Sequence, residues 1–404
     1  MTDGPCLVTG GVDTHKATHV AAVVDDVGRI LGAESFPATV VGYRALLRWL
    51  RSFGQVTRVG VEGTGAYGAG LARHLADAGV EVVEVNRPNR QVRRRRGKND
   101  TVDAEAAARA ALNGEASAAP KGGDGIVESI RALRVTFCST RATRTRVANQ
   151  IRDLVTTGPD QLRCQLEPLD TVARVQRCAR FRTGDLTHPV EATKAALRAL
   201  ARQHQALTVD LDELRGHLDT LTVEANPALR AAKGVGVDVA SILLVAAGDH
   251  PERLTSDAAF AALCGASPVE ASSGRITRHR LNQGGNRQGN HALWRIAMVR
   301  LTCDPDTKAY AARRRAEGKT TREIIRCLKR SIARDVYRLL TNPPPVTDNS
   351  DLRATRLTAG ITAAAAAQHF DVWPTKISRL ERGLYSDDTL AHHHRAWLTV
   401  QATA

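Results

Sequence analysis

No Cys-x-x-Cys pair occurs in this chain of 404 residues; its seven cysteines, Cys6, Cys138, Cys164, Cys178, Cys264, Cys303 and Cys327, are scattered and odd in number. That absence argues against a structural zinc site or a dithiol redox centre, and reduced, mostly buried thiols are expected. Long apolar runs are also missing. None approaches the roughly 20 residues that a membrane helix needs, and the start Met-Thr-Asp-Gly-Pro lacks a charged-then-apolar signal pattern, so a cytoplasmic protein without a membrane partner is expected. Acid is in short supply: 42 Asp and Glu face 57 Lys and Arg, a formal charge of +15 with a pI near 10.0. Such an imbalance points to nucleic acid or another polyanion, with an acidic membrane surface as the competing partner. The length allows two to four domains, each with its own core.

What is present begins with Gly97 to Glu105, Gly-Lys-Asn-Asp-Thr-Val-Asp-Ala-Glu, directly behind Arg93, Arg94, Arg95 and Arg96. Asp100 and Asp103 stand at i and i+3, so a helix puts both carboxylates on one face. Carboxylates beside a cationic run suit a hard cation placed against a phosphate backbone. A solvated helix start, with Asp100 favoured by the helix dipole, is the other reading of the same residues.

Upstream, Cys6 to Val24 reads as strand, turn, strand, with Asp13 ending the first strand after Gly10-Gly11-Val12. A third strand over Arg29 to Phe36, an amphipathic helix over Val40 to Phe53, a short buried strand ending at Glu62, a Gly63-Thr64-Gly65 turn, a helix from Ala66 to Ala78 and a strand at Glu81 to Val85 follow. Three hairpin-like strands followed by alternating helix and strand make an α/β sheet, whose active crevice lies beyond strand C-terminal ends. Asp13 and Glu62 fall there, although a charged residue after a buried strand is often only the first polar residue of a loop. With Asp100 and Asp103 they make four carboxylates on three elements, which repel one another unless a cation neutralises them. Two-metal phosphodiester chemistry is one use of such a set. The order of these acids resembles the RNase H or RuvC type of nuclease fold, with Lys16 and Lys98 as added phosphate contacts.

Beyond a glycine-rich linker near Gly114 to Gly125, helical spacing takes over. Leu197, Leu200, Leu207, Leu211, Leu214, Leu218 and Leu221 alternate steps of three and four, a coiled-coil seam that serves either an intramolecular hairpin or, the favoured reading, contact between copies. Lys233-Gly234-Val235-Gly236 resembles the turn of helix-hairpin-helix modules, which hold phosphates on backbone amides. Further on, Ser272-Ser273-Gly274 leads into a basic loop with Arg275, Arg278, His279, Arg280 and Arg287. Ser-Ser-Gly is ordinarily a turn; as a nucleophile, a serine needs a base and a cation, and only cations are evident nearby.

Gly11-Val12-Asp13-Thr14-His15-Lys16, Glu62-Gly63-Thr64-Gly65, Gly97 to Ala104, Lys233 to Gly236, Ser273-Gly274 and Gly284-Gly285-Asn286-Arg287 together resemble, over about residues 6 to 342, the transposases of insertion-sequence family 110, which includes the Piv-type invertases. The resemblance implies a RuvC-like domain whose Asp13, Glu62, Asp100 and Asp103 bind Mg²⁺ or Mn²⁺, a coiled-coil insertion, and a transposase domain with Ser273 as nucleophile, Ser272 being the alternative. It also implies multimers (a dimer or tetramer), composite sites joined from the two domains, phosphoserine-DNA intermediates, and a structured non-coding guide RNA that pairs with donor and target DNA.

The tail, Leu352 to Gly383, looks like a repressor-type helix-turn-helix, with Thr375 to Arg382 as recognition helix and Thr375, Lys376 and Arg379 as DNA contacts; a packing tail is the alternative. His392 to His394 offer a less favoured metal site. The expected fold is thus an α/β RNase H/RuvC-like domain (1–115), a helical coiled-coil region (126–225), a helical transposase domain (226–345) and a helix-turn-helix-like tail (349–400). The expected function is DNA recombination by a metal-assisted serine nucleophile. A RuvC-like nuclease using water and a non-catalytic DNA-binding regulator are the alternatives.

Overall fold

The computed structural model describes residues 6–85, 99–116, 119–120, 123, 125–251, 254–270, 279–280, 282, 284–385 and 387–403. The chain forms two compact units, residues 1–125 with 248–253, and residues 126–247 with 254–404. Among the described residues no helix is long and apolar enough to cross a membrane.

The first unit is a mixed sheet of β1 (Leu7–Thr14), β2 (Thr18–Val24), β3 (Ile30–Pro37), β4 (Gln55–Glu62) and β5 (Glu81–Val85), with helices α1 (Val40–Ser52), α2 (Ala69–Asp77) and α3 (Asp100–Leu112). The strand order is β3-β2-β1-β4-β5; β1, β2 and β3 pair antiparallel, while β4 and β5 continue parallel to β1. The alternation of β1 divides its residues between two faces. Val8 and Val12, with Val59 and Val61 of β4, pack under Leu46, Leu47 and Leu50 of α1 and Leu71 and Leu75 of α2. Gly11 and Asp13 take the opposite face, which α3 covers.

That face is built for close approach. Gly11 of β1 and Gly60 of β4 lie side by side in register. A Cβ added to Gly11 would stand 2.0 Å from the Ala108 backbone nitrogen and 2.3 Å from the Ala104 carbonyl oxygen; one added to Gly60 would stand 2.6 Å from the Ala107 oxygen. The facing ridge of α3 is correspondingly small: Ala104, Ala107, Ala108 and Ala111 are all buried. Four buried methyl groups contribute only about 3 kcal/mol, so this packing trades apolar area for proximity.

Among the described residues the second unit is helical apart from a short antiparallel hairpin of β6 (Val269–Glu270) and β7 (His279–Arg280). Its long helices are α4 (Ile126–Thr157) and α7 (Pro189–Ala225), with α5 (Asp160–Leu166) and α6 (Thr171–Ala179) between them. The leucine seam of α7 is met from within the same chain: Leu197 packs with Val147, Ile151 and Val155 of α4, and Leu218 with Val127 and Ile130. Within the chain this seam forms the intramolecular hairpin, because α4 supplies the complementary apolar stripe. Around Phe260 a larger core gathers α8 (Pro227–Ala231), α9 (Val237–Ala247), α10 (Asp257–Leu263), α11 (Arg287–Cys303), α12 (Pro305–Ala316) and α13 (Thr321–Thr341).

Four helices make the tail, α14 (Ser350–Thr358), α15 (Ala363–His369), α16 (Pro374–Glu381) and α17 (Asp388–Thr403). They enclose Leu352, Ala366, Ile377 and Leu398, crossed by a buried Arg356–Glu381 pair at 2.6 Å. His394 is fully buried against Phe370 and Trp397, and burial pushes its pKa down. It is a core residue of the tail, which withdraws it from the three-histidine metal site considered above.

The glycine pair yields a stability test. Gly11→Ala forces α3 off the sheet and lowers the unfolding free energy of the first unit by about 3 kcal/mol, whereas Gly65→Ala, with nothing within 4 Å of the new Cβ, changes it by less than about 0.5 kcal/mol. Urea unfolding of the full chain reads both, and equal midpoints would contradict the close-packing argument.

Candidate metal centre

Asp13 is the seventh residue of β1, on the face that α3 covers and 8% exposed. Glu62 ends β4, the adjacent strand, whose backbone is tied to β1 there by the Thr14 hydroxyl donating to the Glu62 carbonyl at 2.8 Å. The third element is α3. Asn99 caps it by accepting from the Thr101 amide, which fixes Asp100 and Asp103 in the first turn, where the helix dipole favours negative charge. Since α3 lies hard against Gly11 and Gly60, its N-terminus comes to the level at which β1 ends. The ligand atoms of Asp13, His15 and Asp100 all lie within 4.8 Å of one another. His15 Nδ1 stands 3.8 Å from Asp13 and Nε2 3.8 Å from Asp100, and Nδ1 is buried without a hydrogen-bond partner.

Burial pushes the Asp13 carboxyl above its ordinary range, His15 pulls it down, and the charges of Asp103 and then Asp100 push it up again. Two carboxylates at such separation repel by roughly 1 to 3 kcal/mol, depending on screening. A divalent cation reverses the sign of that interaction, and carboxylates with an imidazole are a donor set that Mg²⁺ and, better, Mn²⁺ accept. The residues fit the group.

The structure thus brings Asp13, Asp100 and Asp103 together electrostatically, adds His15, and puts Glu62 on the neighbouring strand end, outside the 4.8 Å group formed by the described residues. Sequence reasoning passed over His15; its signal was an imidazole two residues past a strand-end aspartate. Lys16 is exposed directly behind it. Arg93, Arg94, Arg95, Arg96, Lys98, Ser272, Ser273, Arg275 and Arg278 lie outside the described residues. Arg280 ends β7 and Arg287 opens α11, both exposed. In the tail, Thr375 is exposed, but Lys376 pairs with Asp387 at 3.0 Å, and Arg379 is half-buried and donates to the Leu384 carbonyl at 3.0 Å. Those two cations are directed to their own chain.

Two family models match. One, described as a transposase of the DEDD type named for IS110, covers residues 10–158, and with it all four acids; the other, the transposase IS116/IS110/IS902 family, covers residues 226–312. The chain belongs to the IS110 family of transposases. A stretch of 156 residues, 37% of this chain, is 33% identical to the insertion element IS110 uncharacterized 43.6 kDa protein of Streptomyces coelicolor. The match spans about a third of that protein's length, 36%.

For this IS110-family chain, Asp13→Asn and Asp100→Asn are each expected to weaken Mn²⁺ binding about tenfold or more, and His15→Ala to narrow the preference for Mn²⁺ over Mg²⁺. Calorimetric titration of the full chain with either ion measures this. Unchanged affinity in both aspartate variants would remove the centre from β1 and α3.

Proposed function

We propose that the chain is a DNA transposase that cuts and rejoins DNA through a serine nucleophile, under the guidance of a structured non-coding RNA. The observation that carries the reading is the convergence of Asp13, His15 and Asp100 at one end of the sheet, with the charge of Asp103 felt at Asp13, within a chain whose family models both describe transposases. The order β3-β2-β1-β4-β5, with acids at the ends of β1 and β4 and at the start of α3, supports a RuvC-like fold for the first unit.

A bound Mg²⁺ or Mn²⁺ would supply charge neutralisation at the phosphoryl oxygens and lower the pKa of an attacking hydroxyl. Asp13, Glu62, Asp100 and Asp103 would hold that ion. Ser273, or its neighbour Ser272, supplies the hydroxyl: its oxygen bonds to phosphorus as its proton passes to solvent, one ester bond breaks, and the departing oxygen takes a proton from solvent to leave as a strand-end hydroxyl. Attack of a strand-end hydroxyl on the phosphoserine then reseals DNA and restores the serine. The excess of 57 basic over 42 acidic residues supports a nucleic-acid partner, RNA and DNA alike, and the active form is a dimer or tetramer. The four-helix tail is a helix-turn-helix-like module that reads DNA with Thr375 and neighbouring residues, an engagement that requires Lys376 and Arg379 to exchange their present partners.

Incubation with guide RNA, donor and target DNA and Mg²⁺, followed by denaturation, traps covalent protein-DNA adducts. Ser273→Ala is expected to abolish the adducts while nucleic-acid binding persists, and Asp103→Asn to reduce them by at least about a hundredfold. Undiminished adducts in Ser273→Ala move the nucleophile to another residue. Cleavage without adducts or joining products points to a nuclease that uses water, and binding without any chemistry in the unaltered protein to a regulator.

A further inference from the structure

The described residues include a cavity of about 700 Å³ in the second unit, between the residues that flank the β6–β7 hairpin and one face of α13. Ser267 and Pro268 precede β6, and Asn282 follows β7, so both ends of the hairpin open on this space. Its walls carry six cations, Arg280, Lys319, Arg326, Lys329, Arg330 and Arg334, against one carboxylate, Glu323. Glu323 is committed elsewhere: it closes a capping box by accepting from the Thr320 amide and hydroxyl at 2.8 and 2.7 Å. Asp257, at the start of α10, meets Arg330 at 2.9 Å and Arg334 at 3.5 Å, one carboxylate shared by two guanidiniums.

Arg326, Arg330 and Arg334 recur every fourth residue, so they form one ridge of α13. Like charges at that spacing oppose the helix by a few tenths of a kcal/mol for each pair. Lys329 is more telling. It is 7% exposed, and its ammonium donates to the Asn290 side-chain oxygen at 3.0 Å. Asn290 is held in turn by its amide, which donates to the carbonyls of Cys264 and Gly265 at 2.9 and 3.0 Å. No carboxylate among the described residues offsets the Lys329 charge, and burial followed by Arg326 pushes its pKa below the ordinary lysine range. A lysine kept in a cavity wall by a fixed amide, under repulsion from its neighbours, is matched to an anion that is absent from the protein itself.

We propose that this cavity is a phosphodiester-binding site, in which Lys329 and the Arg326 ridge of α13, with Arg280 from β7, grip the backbone of a nucleic-acid strand beside the β6–β7 hairpin. The inference rests on the reading above that nucleic acid is the substrate, and gives that reading a second, metal-independent contact surface. A single strand fits better than a duplex: 700 Å³ admits a few nucleotides, and a cationic groove grips the backbone whatever its sequence.

The cavity contains its own reporter, since Cys327 lines it half-buried. Peptide-resolved alkylation of the full chain by N-ethylmaleimide is measured with and without a short single-stranded DNA, and separately a short single-stranded RNA, of mixed sequence. With oligonucleotide at about ten times its Kd, mass action slows alkylation of Cys327 about tenfold, while exposed Cys164 on α5 reacts as before. Protection by one oligonucleotide or by both supports the site and identifies the strand it takes; protection by neither overturns it. The salt dependence of binding, followed by fluorescence anisotropy, gives an independent reading. Arg280→Ala with Arg326→Ala lowers the slope of log K against log salt by about 1.4 for a single strand, and Lys329→Met by about 0.7, whereas Arg152→Ala on α4 leaves it within about 0.3 of the unaltered chain. Slopes that fall no further in the cavity variants than in Arg152→Ala overturn the proposal. These readouts do not involve adduct formation, so lost adducts with intact protection count against the serine mechanism, and lost protection with intact adducts counts against this cavity.

Discussion

The contact between the backbone of α3 and the glycine pair Gly11 and Gly60 is the constraint from which the rest of the first unit follows. A side chain at either glycine would overlap helix backbone, and the helix answers with alanines alone. An ordinary helix on a sheet is held off by its own side chains; here Gly11 stands against Ala104 and Ala108, which puts the first turn of α3 by the end of β1. Carboxylates projecting from that turn therefore meet Asp13. The weak apolar gain of an alanine ridge is the cost of this geometry, and the opposite face compensates through the leucines and valines of α1, α2, β1 and β4.

Charge in the second unit is distributed by a related logic. Asp238 at the start of α9 takes Arg134, Arg141 and Arg295; burial pushes its carboxyl up, but the three guanidiniums outweigh that and hold it below the ordinary range. Asp219 likewise takes Arg230 and Arg382. Each carboxylate in these clusters is already outnumbered, so the surplus of base cannot be spread evenly. Around the α13 cavity six lining cations face one lining carboxylate. The net charge of +15 thus has a local meaning: parts of the surplus serve to lock helices together, and part faces a cavity.

The acids were legible in the sequence because their positions follow from rules about elements. A strand ends where its apolar run ends, which located Asp13 and Glu62, and the i, i+3 spacing of Asp100 and Asp103 put both on one helix face. The α7 seam was equally plain as a pattern, but a heptad says only that apolar partners are needed, not whose; α4 supplied them. His15 escaped because a single histidine after a strand has many ordinary uses, and only the approach of α3, set by backbone contact, shows that it lies between Asp13 and Asp100. Lys376 and Arg379 were read as outward by analogy of motif, whereas Asp387 and the Leu384 carbonyl draw them inward. Local pattern predicts which residues share a face; it does not say what that face meets.

The central claim is the proposal that close packing of α3 on β1 and β4 assembles a divalent-cation centre around Asp13, His15 and Asp100, with the charge of Asp103 nearby. Anomalous diffraction from crystals of the protein soaked in Mn²⁺ tests it most directly. The account predicts an anomalous peak about 2.0 to 2.3 Å from carboxylate oxygens of Asp13 and Asp100. A Mn²⁺ peak bound elsewhere, with these two carboxylates turned away from each other and unliganded, would contradict it.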